Sequence, residues 1–278
     1  MKQLYDKVCL RTSKLTTNMY STSFSLGIRF LGKDIRDAIF AVYGLVRFAD
    51  EIVDTFHDYN KERLLADFKA DTYRAIEDGI SLNPILNSFQ FAVNKYDIDR
   101  DLIETFFNSM EMDLEKRDYT QDEYETYILG SAEVVGLMCL QVFLEGDKEQ
   151  YAKLKGNAMS LGSAFQKINF LRDLGDDFEM LGRTYFPGLD LNNPSETSVK
   201  DILADIEKDF KHGYEGILKL PKKARFGVYM AYIYYYRLFK KIKSTPFNKI
   251  LETRIRIPNQ HKYALFVSSY VKHQLNII

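Results

Sequence analysis

Two stretches decide how this chain folds: Tyr43-Gly-Leu-Val-Arg-Phe-Ala-Asp-Glu-Ile-Val-Asp54 and Gln166-Lys-Ile-Asn-Phe-Leu-Arg-Asp-Leu-Gly-Asp-Asp177. Each sits inside a run whose apolar residues recur at helical spacing. Around the first, Ile35, Ala38, Ile39, Val42, Leu45, Val46, Ala49, Ile52 and Val53 give a helix over 33–56. The second lies in a longer pattern over 148–181. Within each run the polar residues also keep step. Tyr43, Arg47, Asp50 and Asp54 fall within about 60° of one another on a helical wheel. Gln166, Asn169, Asp173 and Asp177 form a second stripe of the same kind. Both stripes end in two aspartates four residues apart, roughly 6 Å along the axis.

Carboxylates that close repel unless a positive charge lies beside them. Hard divalent cations supply it, and Mg²⁺ is commonly held by one or two carboxylates, waters and substrate phosphates. Two such stripes facing across a bundle would hold several Mg²⁺ ions and, through them, a diphosphate. The metals would stabilise the departing diphosphate. For either pair alone, a solvated helix face near Lys or Arg is the simpler reading. Two pairs, each extended into an apolar helix, favour the metal reading.

Working outward, helical patterns recur over 61–80, 99–117, 121–145, 199–218, 221–244 and 262–275. Gly79, Asn83 and Pro84 end the first of these, and Gly146-Asp147 separates two long helices. The stretch 187–195 reads as a loop, and 244–260, with Pro246 and Pro258, as irregular. The expectation is one all-α domain over 1–278, with no linker and no evident repeat.

Composition agrees. The 278 residues carry 38 Lys plus Arg against 39 Asp plus Glu, so no global field favours nucleic acid. Two cysteines, Cys9 and Cys139, exclude a disulfide framework or a zinc knuckle, and fit a reducing cytoplasm. No stretch reads as a membrane span, since Val134–Leu144 is too short. Met1–Leu10 lacks a signal core. A di-metal oxidase bundle wants Glu-x-x-His pairs. Only Asp54-x-x-His57 and Asp209-x-x-His212 occur.

With these residues in view, the chain resembles the squalene and phytoene synthase family, most of all its bacterial phytoene synthases. Tyr20-Ser-Thr-Ser-Phe-Ser25 is similar to the family's entry motif, and the two quoted stretches to its aspartate-rich motifs. Gly182-Arg-Thr-Tyr-Phe-Pro187 and Arg254-Ile-Arg-Ile-Pro258 resemble later elements. The matches are colinear over about 20–265. The chain departs from the family at Tyr20, where several relatives have His, and at Leu129 and Glu133, where an aromatic and a Gly are common.

The resemblance implies a single-domain isoprenoid-synthase helical bundle with a central cavity. It implies head-to-head condensation of two prenyl diphosphates through a cyclopropyl diphosphate. The first expectation is two geranylgeranyl diphosphates giving phytoene for carotenoid biosynthesis. The alternatives are squalene or dehydrosqualene from farnesyl diphosphate, or a non-catalytic isoprenoid-binding homologue. Carried over, Asp50, Asp54, Asp173 and Asp177 would hold Mg²⁺, with Mn²⁺ as a substitute. Arg47 would bind diphosphate, where its fork suits phosphate oxygens. Gln166 and Asn169 would orient metal-bound groups, and Tyr43 and Tyr234 would face the reacting groups. Ser21 and Ser23 match the entry motif. Arg172 and Arg183 would touch diphosphate or pair with Asp176 or Glu179. NADPH is not expected, as no Gly-x-Gly-x-x-Gly occurs and the resemblance is to phytoene synthases rather than reductive ones. The stretch Ser268–Ile278 does not read as the C-terminal anchor of eukaryotic squalene synthases. Cytoplasmic location is expected, with weak peripheral contact with the membrane. The tyrosines of 229–239 followed by Lys240, Lys241 and Lys243 offer one surface for that contact, although the lysines equally suit a helix C-terminus.

Overall fold

The helix that carries the first stripe, α3 (Lys33–Thr55), lies at the centre of one half of the molecule. The computed structural model describes residues 1–115, 119–176, 185–191 and 195–257. Asp177, Arg183, the family-like run up to Thr184 and the helix expected over 262–275 lie outside the described residues. No strand occurs among the described residues.

Around α3 pack α1 (Lys2–Tyr20), α2 (Thr22–Arg29), α4 (Lys61–Asp78), α5 (Pro84–Tyr96) and α6 (Arg100–Glu115). The buried side chains of α3, among them Phe40, Leu45 and Val53, join Phe89, Phe106 and Phe107 in one core. The other half is built on α9 (Lys148–Asp176), with α10 (Glu196–Ile217), α11 (Lys222–Lys243) and α12 (Phe247–Glu252). Its core is aromatic: Phe170 stacks on Tyr185 with centroids 4.0 Å apart, and Phe210 meets Tyr232, Tyr236 and Phe239. Between the halves run α7 (Gln121–Ile128), a π-helical turn (Leu129–Glu133) and α8 (Val134–Leu144).

Local chemistry sets the ends. Asn60 caps α4 by accepting from Arg63 N–H at 2.8 Å, and Gly79 ends that helix at φ 66°. Thr120 and Glu123 form a capping box on α7. Ser195 caps α10.

The structure corrects several expectations. α1, α2 and α5 were not expected. Asn83-Pro84 does follow α4, yet the same pair starts α5, with Asn83 as cap and Pro84 in the first turn. The stretch after Pro246 is not irregular throughout, since it forms α12. The expected helix over 121–145 is interrupted by the π turn, where Gly130 sits so close to α6 that a Cβ would lie 2.5 Å from that of Ser109. By length and composition Gln121–Leu144 is apolar enough to cross a membrane, contrary to the sequence reading. More than half of it is buried in this fold, packed on α6 and α9, as a core helix of a globular protein would be. Tyr229, Tyr232 and Tyr235 are buried, so most of the tyrosine run is packing. Lys243 pairs with Glu207 at 2.6 Å, Lys240 lies over Tyr236 and Lys241 donates to the Arg256 carbonyl.

Candidate active site

A cavity of about 780 Å³ opens between the two halves. Its walls take in every described residue given a role in the site from sequence: Ser21, Ser23, Tyr43, Arg47, Asp50, Asp54, Gln166, Asn169, Arg172, Asp173 and Tyr234. Asp177 and Arg183 lie outside the described residues. The deep wall is apolar, with Ile28, Leu31, Leu140, Phe143, Leu154 and Leu220.

At the polar end, α3 presents Tyr43, Arg47, Asp50 and Asp54 in one row, as the spacing predicts. Asp50 is half-buried and lines the cavity. Burial, and then the charge of Asp54, push its carboxyl up to about 8, against the pull of Arg47; Asp113 adds to the rise. This is an acidic group without enough counter-charge. Among the described residues no three potential ligands converge tightly enough to hold a metal alone. The donor set nonetheless suits a hard cation that takes its remaining oxygens from water and substrate phosphate.

Arg47 pairs with Glu51 and its guanidinium lies 4.4 Å from the Tyr20 ring centroid. Its Nε is buried and has no hydrogen-bond partner. A buried unmet donor is costly, and Arg47 also lines the cavity, so its guanidinium stands beside the space a phosphate would enter. The Tyr43 hydroxyl meets Ser21, whose Oγ also caps α2 by accepting from Phe24 N–H at 3.1 Å. Burial pushes Tyr43 up to about 12, so it is a neutral hydroxyl at ordinary pH.

Facing α3, α9 holds Asp173 between two arginines. Arg172 Nε donates to its Oδ1 at 2.9 Å, and Arg254 Nε reaches the same oxygen at 2.7 Å. Burial works against the Arg172 charge, but Asp173 outweighs it and holds the guanidinium protonated. Thus Arg172 pairs with Asp173, a partner not among those weighed from sequence. Arg254 reaches it because α12 lies tight on α9 at Gly175, where an added Cβ would stand 2.0 Å from the Leu251 carbonyl oxygen. Asn169 Oδ1 accepts from the Tyr235 hydroxyl at 3.3 Å. Tyr235 stacks on Phe165, and Phe24 packs against Tyr43, Phe165 and Tyr235, forming an aromatic collar below the polar groups. Tyr234 stands edge-on to Tyr235.

Sequence reasoning missed other members of the site. Arg254 lay in a stretch noted only as a motif. Asp113 on α6 is 2% exposed, lines the cavity, and accepts from the Tyr119 hydroxyl at 3.0 Å and from Tyr127. Its signal was available: it continues the buried stripe of Ile103, Phe106 and Met110. Ser131, in the π turn, lines the cavity with an unpartnered hydroxyl. Leu129 and Glu133, the departures in the same segment, are not among the lining residues, so they do not alter the cavity wall directly. Glu133 is instead near Lys167 and Asp209.

The family model for squalene/phytoene synthase matches residues 17–261. This chain belongs to the squalene/phytoene synthase family. Across 298 aligned residues it is 26% identical to phytoene synthase of Arthrospira platensis, covering 94% of this chain and 96% of that one. It is 25% identical to chloroplastic phytoene synthase 1 of Solanum lycopersicum over 91% of its own length. It spans about 65% of the length of that tomato relative. Among solved structures, a dehydrosqualene synthase in complex with a ligand shares the fold with TM-score 0.83, 18% identity and 98% coverage of both chains. A squalene synthase, HpnC from Alicyclobacillus acidocaldarius, gives TM-score 0.75 at 18% identity, covering 86% of this chain and 95% of that one. The squalene/phytoene synthase fold is therefore the all-α bundle with a central cavity seen here.

Proposed function

We propose that this protein is a prenyltransferase that joins two geranylgeranyl diphosphates head to head to give phytoene, with a divalent cation, Mg²⁺ foremost, and no reductant. The observation that carries the reading is the composition of one cavity. Its polar end gathers acidic side chains, an unsatisfied arginine donor and two more arginines, while its depth is lined with hydrocarbon. A molecule with an anionic head and a long apolar tail matches both ends. The names of the sequence relatives support C20 substrates and the phytoene product.

Asp50 and Asp54, with Asp173 opposite and with Asp177 carried over from the motif, would hold the cation, which supplies Lewis-acid stabilisation of a leaving diphosphate. Arg47, which lines the cavity, takes a phosphate oxygen and orients the head group. Gln166 and Asn169 would orient metal-bound groups, and Ser21 and Ser23 line the same cavity. Ionisation of one substrate leaves an allylic cation among Phe24, Tyr43, Phe165 and Tyr235. Aromatic faces attract cations, and an apolar cavity keeps water from quenching one. The double bond of the second molecule attacks it, a proton is lost, and a cyclopropyl diphosphate forms. Loss of the second diphosphate, rearrangement and loss of another proton give the linear product.

Diphosphate release by purified protein, with geranylgeranyl diphosphate as substrate, tests the reading. Asp50→Asn is expected to lose at least about a hundredfold in kcat while its helical circular dichroism and melting remain those of the parent. EDTA should stop the parent and Mg²⁺ restore it. An Asp50→Asn variant with parental turnover, or EDTA-insensitive turnover, would remove the metal assignment.

A further inference from the structure

The first helix is amphipathic the wrong way round for a helix that only packs. The residues α1 buries are small: Cys9, Ser13, Thr16 and Thr17. Most of its large apolar side chains face solvent, with Leu4 58%, Val8 49%, Leu15 60% and Met19 75% exposed, while Leu10 is half-buried. With Leu4 at zero and about 100° per residue, Leu15, Val8 and Met19 fall near 20°, 40° and 60°. Lys7, Arg11 and Lys14 are also exposed and fall near −60°, −20° and −80°. Solvent therefore meets an apolar stripe running the length of the helix, edged on one side by cations. Arg29 donates to Asn18 on that same cationic side. The acidic residue of α1, Asp6, lies about 160° away and pairs with Lys2 and Asn87. Tyr5 bonds the Ser81 carbonyl, which sets the exposed Ile80 and Leu82 beside the apolar edge.

We propose that this face of α1 docks the protein onto an anionic lipid surface. An interfacial helix binds by sinking apolar side chains to the level of the headgroups while its flanking Lys and Arg meet anionic lipid. The occupant follows from charge. A second copy brings three more cations and no carboxylate to the same face, whereas an anionic bilayer neutralises the cations and takes up the apolar stripe. Geometry adds a reason for the placement. The stripe ends at Met19, and the next residues, Tyr20 to Phe24, line the cavity. Docked this way, the cavity wall formed by Tyr20 to Phe24 lies next to the bilayer surface. On the proposed reading of the activity, that is where prenyl tails partition.

The test is vesicle co-sedimentation of the full chain without substrate. Vesicles are of phosphatidylcholine alone or mixed with phosphatidylglycerol. The parent is expected to sediment with the mixed vesicles, more weakly with neutral ones, and less as salt rises. Lys7→Gln, Arg11→Gln and Lys14→Gln together should weaken partitioning to mixed vesicles about a hundredfold, near fivefold per charge. The change should be much smaller on neutral vesicles. Leu15→Glu with Met19→Glu should weaken binding to both. Lys240→Gln with Lys241→Gln, at the end of α11, should bind as the parent does. All these positions are exposed, and unchanged melting checks the fold. Absence of parental binding, parental binding by the α1 variants, or a dimer in sedimentation that Leu15→Glu disperses would each overturn the proposal. Because no substrate is present, binding without turnover would leave this proposal intact and remove the enzymatic one.

Discussion

Gly175→Ala tests how Arg172 and Arg254 come to share Asp173. A Cβ at position 175 would stand 2.0 Å from the Leu251 carbonyl oxygen, and ordinary contact begins at 3.4 Å. The difference, about 1.4 Å, must be met by α12 moving away from α9, because both atoms belong to rigid helical backbone. Arg254 lies two residues past the end of α12 and travels with it. Its 2.7 Å contact to Asp173 Oδ1 would open to about 4 Å, beyond hydrogen-bond range. Overpacking of this kind costs about 1–3 kcal/mol of stability. A misplacement of about 1 Å at a reacting centre can cost about a hundredfold in rate. Gly175→Ala should therefore melt lower and release diphosphate between ten- and a hundredfold more slowly. Arg254→Ala removes the same contact without the clash. It should reproduce the kinetic loss with little change in melting, since Arg254 is 40% exposed in its side chain. Parental melting and turnover in Gly175→Ala would refute the close approach. Parental turnover in Arg254→Ala would refute a role for that arginine.

Two further predictions rest on buried groups. Asp113→Ala strands the hydroxyls of Tyr119 and Tyr127 in the core. It should lower stability by about 2–4 kcal/mol in a denaturant titration, and a loss under about 0.5 kcal/mol would show that the three-residue contact contributes little. Burial pushes the Cys139 thiol from 9.0 up to about 12, although it faces the cavity. At pH 9 its alkylation in the folded protein should be about five-hundredfold slower than in denaturant. The same shift has a defined sign for stability. The folded thiol holds its proton more tightly, so its contribution is complete below about pH 9 and is lost as pH rises towards about 12. Fast native-state labelling of Cys139 at pH 9 would contradict the burial.

What the sequence disclosed followed from period. α3 and α9 were legible because each sets an apolar pattern of helical spacing beside a polar stripe, and both signals agree on one axis. The structure brings these two stripes to one cavity, as facing stripes would require. α1 was not legible for the converse reason: its buried side is Cys9, Ser13, Thr16 and Thr17, so no apolar pattern marks the inward face. α5 was hidden because Asn83-Pro84 stops one helix and starts the next. α12, six residues behind Pro246, is too short for periodicity to register. The pairing of Arg254 with Asp173 spans 81 positions and depends on a glycine contact that no local pattern reveals. Asp113 differs from these. It stood in register with a buried apolar stripe, and a buried acid at such a position was itself a sign of the site.

Product analysis tests the central claim most directly. Purified protein is incubated with Mg²⁺ and either geranylgeranyl or farnesyl diphosphate, with and without NADPH, and the extracted hydrocarbons are resolved by mass spectrometry. The account predicts a C40 hydrocarbon from geranylgeranyl diphosphate, formed equally well without NADPH. A C30 product formed only from farnesyl diphosphate would contradict the C20 assignment. Release of neither hydrocarbon nor diphosphate from either substrate would contradict the prenyltransferase reading itself.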